Sequence, residues 1–82
     1  MKSYTLCKIT VKGRELTAKY SEDTNCYVVS YGDLELRRWD MNIMYPWARE
    51  MGRNLKLPIE LEMGRQDVME YVDGFVKAGN LL

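Results

Sequence analysis

Thr5-Leu6-Cys7-Lys8-Ile9-Thr10-Val11-Lys12-Gly13-Arg14-Glu15-Leu16-Thr17-Ala18-Lys19-Tyr20 is the stretch on which the fold turns. Before Lys12-Gly13 the odd positions Cys7, Ile9 and Val11 are apolar. After it, Leu16, Ala18 and Tyr20 alternate with Glu15, Thr17 and Lys19. Period-two alternation on both sides of a short Gly-containing turn describes a β-hairpin, with Gly supplying positive φ. A two-residue turn at 12–13 sets Ile9 opposite Leu16, Cys7 opposite Ala18 and Thr5 opposite Tyr20. Apolar then meets apolar on one face, and a one-residue slip would destroy that match.

Working outward, Ser21-Glu22-Asp23-Thr24-Asn25 is a polar loop and Cys26-Tyr27-Val28-Val29-Ser30-Tyr31 a strand rich in aromatic and β-branched residues. Its inward side is either Val28 with Cys26 or Val29 with the two tyrosines. Gly32-Asp33 turns the chain into a fourth strand, Leu34-Glu35-Leu36-Arg37-Arg38-Trp39, which ends at Asp40-Met41-Asn42. Pro46 suits the first turn of a helix. Trp47, Met51 and Leu55 follow at spacing four, which predicts one apolar helical face. Gly52 weakens that helix and Pro58 limits it. Ile59, Leu61 and Met63 alternate with Glu60 and Glu62, which favours a short fifth strand over an early turn of the last helix. Val68, Val72, Phe75 and Val76 have helical spacing. Asp67 with Glu70 resembles a capping box, Gly79 suits a C-terminal cap, and Leu81-Leu82 could fold back onto the core.

The expectation is therefore a single α+β domain over 1–82. It has an antiparallel sheet of four strands, extended by a short fifth if 59–63 is a strand, and two helices packed on one face, in the order ββββ-α-(β)-α. A chain of 82 residues with 46% apolar content has the material for one small core, and at this size only about 60% of the unfolded surface is buried. The meander places the second strand between Cys7 and Cys26, so both are expected as free thiols. Lys8, Thr10 and Lys12 interrupt any signal-peptide-like apolar run, and no stretch approaches the ~18 apolar residues of a membrane span. A cytoplasmic location is the corresponding expectation.

Composition narrows the chemistry. No histidine is present, which removes Ser-His-Asp and Cys-His nucleophilic systems and the usual near-neutral base. Glu60 with Glu62, and Glu22 with Asp23, read as solvated acids. No Gly-rich phosphate cradle, calcium-loop spacing or zinc-ligand spacing occurs. The expectation is a non-enzyme with no cofactor and no metal. Twelve basic and twelve acidic residues cancel, and nucleic-acid binders usually carry a basic excess. The balance is nonetheless uneven. Six basic residues face four acidic ones over 37–65, whereas Lys77 alone faces Asp67, Glu70 and Asp73 beyond.

Two groups of residues are candidates for a contact surface. Tyr27, Tyr31, Arg37 and Trp39 could extend an outer sheet face bearing Tyr4, Lys8, Thr10, Thr17 and Lys19. There they would stack bases or anchor a protein; alternatively they pack beneath the helices. Met51, Met63 and Met69 fall on predicted apolar faces as adaptable core filling. Met41, Ile43, Met44, Tyr45 and Trp47, with Arg49 and Arg53 beyond, form an apolar cluster in a connecting loop, where chains are ordinarily polar. The leading expectation is a protein-binding module that inhibits or modulates a macromolecular partner by occupying its surface. In size and composition such a module resembles small phage-encoded inhibitors of host defence, anti-CRISPR proteins among them; the likeness is one of kind and no motif carries it. A single-stranded nucleic-acid binder and a homo-oligomeric subunit, a homodimer for example, are the alternatives, the last pairing through an edge strand or the Met41–Trp47 cluster. No membrane partner is expected.

Overall fold

The computed structural model describes residues 2–81. Four strands, β1 (Ser3–Val11), β2 (Arg14–Ser21), β3 (Cys26–Tyr31) and β4 (Leu34–Asp40), precede two helices, α1 (Pro46–Leu55) and α2 (Ile59–Leu81). The strands form one antiparallel sheet in the order β1-β2-β3-β4. Lys12 and Gly13 both take positive φ, 51° and 80°, as a tight turn matched to the strand twist requires. Ile9 pairs with Leu16 and Cys7 with Ala18, as the alternation predicts.

The register then shifts. Leu6 is an extra residue in β1, so Thr5 pairs with Lys19 and Tyr4, rather than Thr5, lies opposite Tyr20. Tyr4 consequently joins the helix-covered side of the sheet, stacked on Tyr20 with ring centroids 6.4 Å apart, and is not on the outer face expected for it. A second irregularity inserts Leu36 into β4 opposite the Val29–Ser30 step. β1 and β4 are the two sheet edges, so each edge carries a bulge. Bulges twist an edge away from flat pairing with another chain.

The pairing resolves the inward side of β3. Tyr27, Val29 and Tyr31 align with Tyr20, Ala18 and Leu16, and all lie on the side that α2 covers. Val11, Leu16, Ala18, Tyr27, Val29, Trp39, Met41, Val68 and Val72 form the buried core. The other side of the sheet is open and bears Lys8, Thr10, Glu15, Thr17, Lys19, Val28, Ser30 and Glu35 among its residues. Cys7 and Cys26 are both free, with β2 between their strands.

The expected fifth strand does not form. Residues 59–63 are the first turn of α2. Five alternating residues fit either period, whereas Ile59 and Met63 also stand at i, i+4 and lead into Val68 and Val72. Glu60 and Glu62 then occupy the first turn, where the helix dipole favours negative charge. Asp67 accordingly lies inside the helix and caps nothing. Gly79 is helical as well, and its reason is packing: a Cβ there would come within 2.8 Å of the Val11 side chain. The return of Leu81-Leu82 onto the core concerns side chains outside the described residues.

α1 leans on α2, with only Ala48 and Gly52 of its residues buried. It ends on Lys56 in the left-handed region (φ 58°), with the Leu57 N–H donating to the Gly52 carbonyl at 2.8 Å, a Schellman-type stop. Gly52, which weakens the helix by propensity, is needed because the Leu57–Ile59 backbone folds directly over it and leaves no room for a Cβ. Gly64 is similarly crossed by the side chains of Met41 and Tyr27, whose Cε2 would lie 2.9 Å from a Cβ. Gly74, by contrast, faces open space in mid-helix. Among the described residues no helix is long and apolar enough to cross a membrane.

Urea unfolding should separate these glycines. Gly74→Ala is expected to stabilise the fold by about 0.8–1.0 kcal/mol through helix propensity. Gly52→Ala and Gly64→Ala should each destabilise it by about 1–3 kcal/mol through overpacking. An unchanged or raised midpoint for Gly52→Ala would show that the 57–59 turn does not sit on α1 as described.

Candidate functional site

The residues singled out from the sequence divide into three environments. Tyr27, Trp39 and Met41 are buried. Tyr31 is partly buried, its hydroxyl donating to the Val11 carbonyl at 2.5 Å. The Tyr27 hydroxyl donates to the Leu61 carbonyl at 2.7 Å and so ties β3 to the first turns of α2. These rings are core furniture, and the open sheet face has no aromatic side chain among its Thr, Ser, Lys, Glu, Val and Arg residues. Two exposed ion pairs cross or line that face, Lys8–Glu15 at 3.8 Å and Arg38–Glu35 at 2.7 Å. The guanidinium of Arg38 holds the Glu35 carboxyl below its ordinary range through this hydrogen bond.

The Met41–Trp47 cluster splits along its length. Its anchor is a polar latch between two loops. The Tyr20 hydroxyl donates to Asn25 Oδ1 at 2.5 Å, Asn25 Nδ2 donates to Asn42 Oδ1 at 3.1 Å, and Asn42 Nδ2 donates to the Thr24 carbonyl at 3.2 Å. The Met41 N–H donates to the Asn25 carbonyl at 2.9 Å, which leaves the Met41 side chain pointing into the core beside Gly64. Met44 and Tyr45 are half-buried. Arg49 donates to the Asn42 carbonyl, so this side chain fastens α1 to the latch.

Beyond the latch, the face of α1 expected to be buried is turned outward. Relative exposures are 75% for Ile43, 56% for Trp47, 47% for Met51, 59% for Leu55 and 56% for Leu57. The spacing of four from Trp47 to Leu55 is helical, as the sequence predicts, but the helix buries its small residues instead, and Ile43 and Leu57 lie just outside it. Ala48 and Gly52 permit close approach of the two helices, and the bulky side chains are left outside. Met51, expected as core filling, is therefore a surface residue. Arg53 and Lys56 lie exposed on the same element and form no ion pair among the described residues. Next to Leu57 the α1–α2 turn borders a shallow hollow of about 300 Å³ between Tyr27, Pro58, Ile59 and Leu61. Single exposed apolar residues are ordinary, whereas several on one short element mark a contact surface.

Arg37, Trp39, Met44 and Tyr45 do come together, in a groove between β4 and α2. The Arg37 guanidinium lies 4.9 Å from the centre of the Trp39 ring and 5.8 Å from that of Tyr71. Tyr71, Asp67 and Glu70 complete this groove. Sequence reasoning assigned the two acids to a helix cap and did not single out Tyr71, because their convergence on Trp39 depends on how α2 crosses the sheet. No protein-family model, curated protein or solved structure matches this chain, so function must be argued from these surfaces.

Burial raises the Tyr27 and Tyr20 phenols above their ordinary value of 10.0. Protonated phenol is thus favoured by folding, and its contribution is fully present below about pH 10 and lost as pH rises through the raised folded values. Urea midpoints should hold level to about pH 9.5 and then fall. The fall should be shallower in Tyr27→Phe, whose neutral-pH stability is lower by about 1 kcal/mol for the lost hydrogen bond. An identical alkaline slope in wild type and variant would contradict the burial of this hydroxyl.

Proposed function

We propose that this chain is a non-catalytic protein-binding module that inhibits or modulates a partner by covering part of its surface, with the outer face of α1 as the contact. The observation that carries the reading is the exposed row of Trp47, Met51 and Leu55 on a helix that buries only Ala48 and Gly52 of its own residues, with Ile43 and Leu57 exposed just beyond its two ends. Trp, Met and Arg are over-represented at protein interfaces, and a few such side chains supply most of the affinity. Fully burying one large apolar side chain contributes about 1.5–3 kcal/mol, and Trp47, Met51 and Leu55, each about half exposed, have that surface still to lose, with Arg53 beside them. The face is built on a helix that is stopped at both ends and latched through Arg49, which limits the ordering cost of association.

A partner of protein chemistry suits this face better than a nucleic acid. The rings that could stack bases, Tyr27, Tyr31 and Trp39, are engaged in the core or in hydrogen bonds beneath α2. Pairing of copies through a sheet edge is disfavoured by the bulges at Leu6 and Leu36.

Affinity purification from the source cells, run in parallel with a Trp47→Glu/Leu55→Glu variant, tests the reading. Both positions are exposed, so the variant should keep its fold, within about 0.5 kcal/mol per site. The expected result is a stoichiometric protein recovered by wild type and lost from the variant. A complex that survives the double substitution, or an eluate whose absorbance and mass identify nucleic acid as the dependent component, would overturn it.

A further inference from the structure

The groove between β4 and α2 combines features that its role in folding does not use. It measures about 460 Å³ and is open to solvent along the β4 edge. Trp39 and Tyr71 meet edge to face along one part of it, with ring centroids 5.5 Å apart and planes at 79°, and Tyr45 stands at the loop end. Asp67, Glu70 and Tyr71 share one face of α2 through their i, i+3 and i, i+4 spacing. Among the described residues neither carboxylate is in an ion pair. The hydroxyls of Tyr45 and Tyr71 likewise have no hydrogen-bond partner there.

The one cation lining the groove, Arg37, lies over the rings of Trp39 and Tyr71 without closing on either acid. Two carboxylates against one guanidinium leave the groove with a net charge of −1. The unspent groups are two anionic acceptors and two phenolic oxygens, and the ring surface beside them is already covered by Arg37, Trp39 being buried. A planar cation with several N–H donors, taking the position Arg37 holds over the rings, would complement the acceptors: its face lies against a ring and its edge reaches the carboxylates.

We infer that this groove is a binding site for an arginine side chain presented by a ligand, and that Arg37 is the internal side chain standing in its place when no ligand is bound. Guanidinium is preferred to ammonium because it is flat enough to stack and has five donors for the acids and phenols, whereas ammonium offers a point charge with three donors. Arg37 is suited to the stand-in role by its position. It projects from an edge strand next to the Leu36 bulge, is exposed, and is held by ring contacts alone, so its displacement breaks no ion pair. The site is separate from the outer face of α1 and does not depend on the function proposed for that face.

The test is a titration of the isotope-labelled chain with N-acetyl-arginine amide, followed in ¹H–¹⁵N spectra, with the glutamine and lysine amides as controls. The expected result is a saturable shift of the Trp39 indole N–H and of Tyr71, with a dissociation constant of about 1–10 mM, as befits a single side chain with no further foothold. Lysine amide should bind more weakly, and glutamine amide should not saturate. Asp67→Asn/Glu70→Gln should weaken arginine binding about tenfold, and Arg37→Gln should tighten it about threefold by vacating the ring faces. All three substituted positions, Arg37, Asp67 and Glu70, are outside the buried core, and the spectra of the variants report whether the fold is kept. The Trp47→Glu/Leu55→Glu variant should bind the probe as wild type does, so a failure here is distinguishable from a failure of the α1 contact. An unmoved Trp39 indole, equal shifts with glutamine amide, or affinity unaffected by Asp67→Asn/Glu70→Gln would overturn the site. Affinity unchanged in Arg37→Gln would overturn the role given to that residue.

Discussion

The packing of one long helix across one side of a four-stranded sheet is the constraint on which everything else depends. Leu16, Ala18 and Val29 are fully buried beneath α2, and Val68 and Val72 are their counterparts on the helix. A chain of this size has material for one such interface only. Its close fit is visible at Gly64, where Met41 and Tyr27 cross the helix, and at Gly79, where Val11 approaches it. The Tyr27 hydroxyl adds a directional tie to the Leu61 carbonyl. Burial on one side leaves the other side of the sheet to solvent, which explains its Thr, Ser, Lys and Glu content and its surface ion pairs.

Both candidate surfaces follow from that single interface. Because α2 covers the sheet, α1 has no apolar sheet face left to cover, and it docks on α2 through its two smallest residues. Its bulky residues then face outward. Because α2 lies over β3 and β2, the side of it bearing Asp67, Glu70 and Tyr71 borders a groove with Trp39 and Arg37 of the edge strand β4. The first surface is apolar with a basic rim, the second aromatic and acidic. A chain of zero formal net charge thus offers two regions of opposite character, each suited to different groups of a partner.

The hairpin at Lys12-Gly13 was legible because turn chemistry and apolar alternation agree there, and the four-strand meander followed from it. The Leu6 bulge was not legible: Ser3-Tyr4-Thr5-Leu6 alternates acceptably in either register, and the choice is made by which pairing lets Tyr4 stack on Tyr20. The 59–63 segment was misassigned because five residues satisfy both periods. Length and the continuing helical pattern of Val68 and Val72 decide it. Likewise Asp67-Glu70 and Gly79 have the local chemistry of caps, and local chemistry cannot show that the helix runs through them.

Local order was therefore determined by the sequence itself: where the chain turns, which residues alternate, which segments have helical period and which catalytic residue types are missing. Those properties depend on backbone preferences and on the spacing of neighbours a few positions apart. The tertiary structure alone decided which apolar face of α1 is inside, since Trp47, Met51 and Leu55 have the same spacing whether they meet a core or water. It also decided that Tyr27 and Trp39 are core while Arg37 lines a groove, because that depends on α2 lying across one side of the sheet. Periodicity defines a face; only the partner that packs against it, here glycine and alanine in place of the larger side chains, determines whether the face is buried.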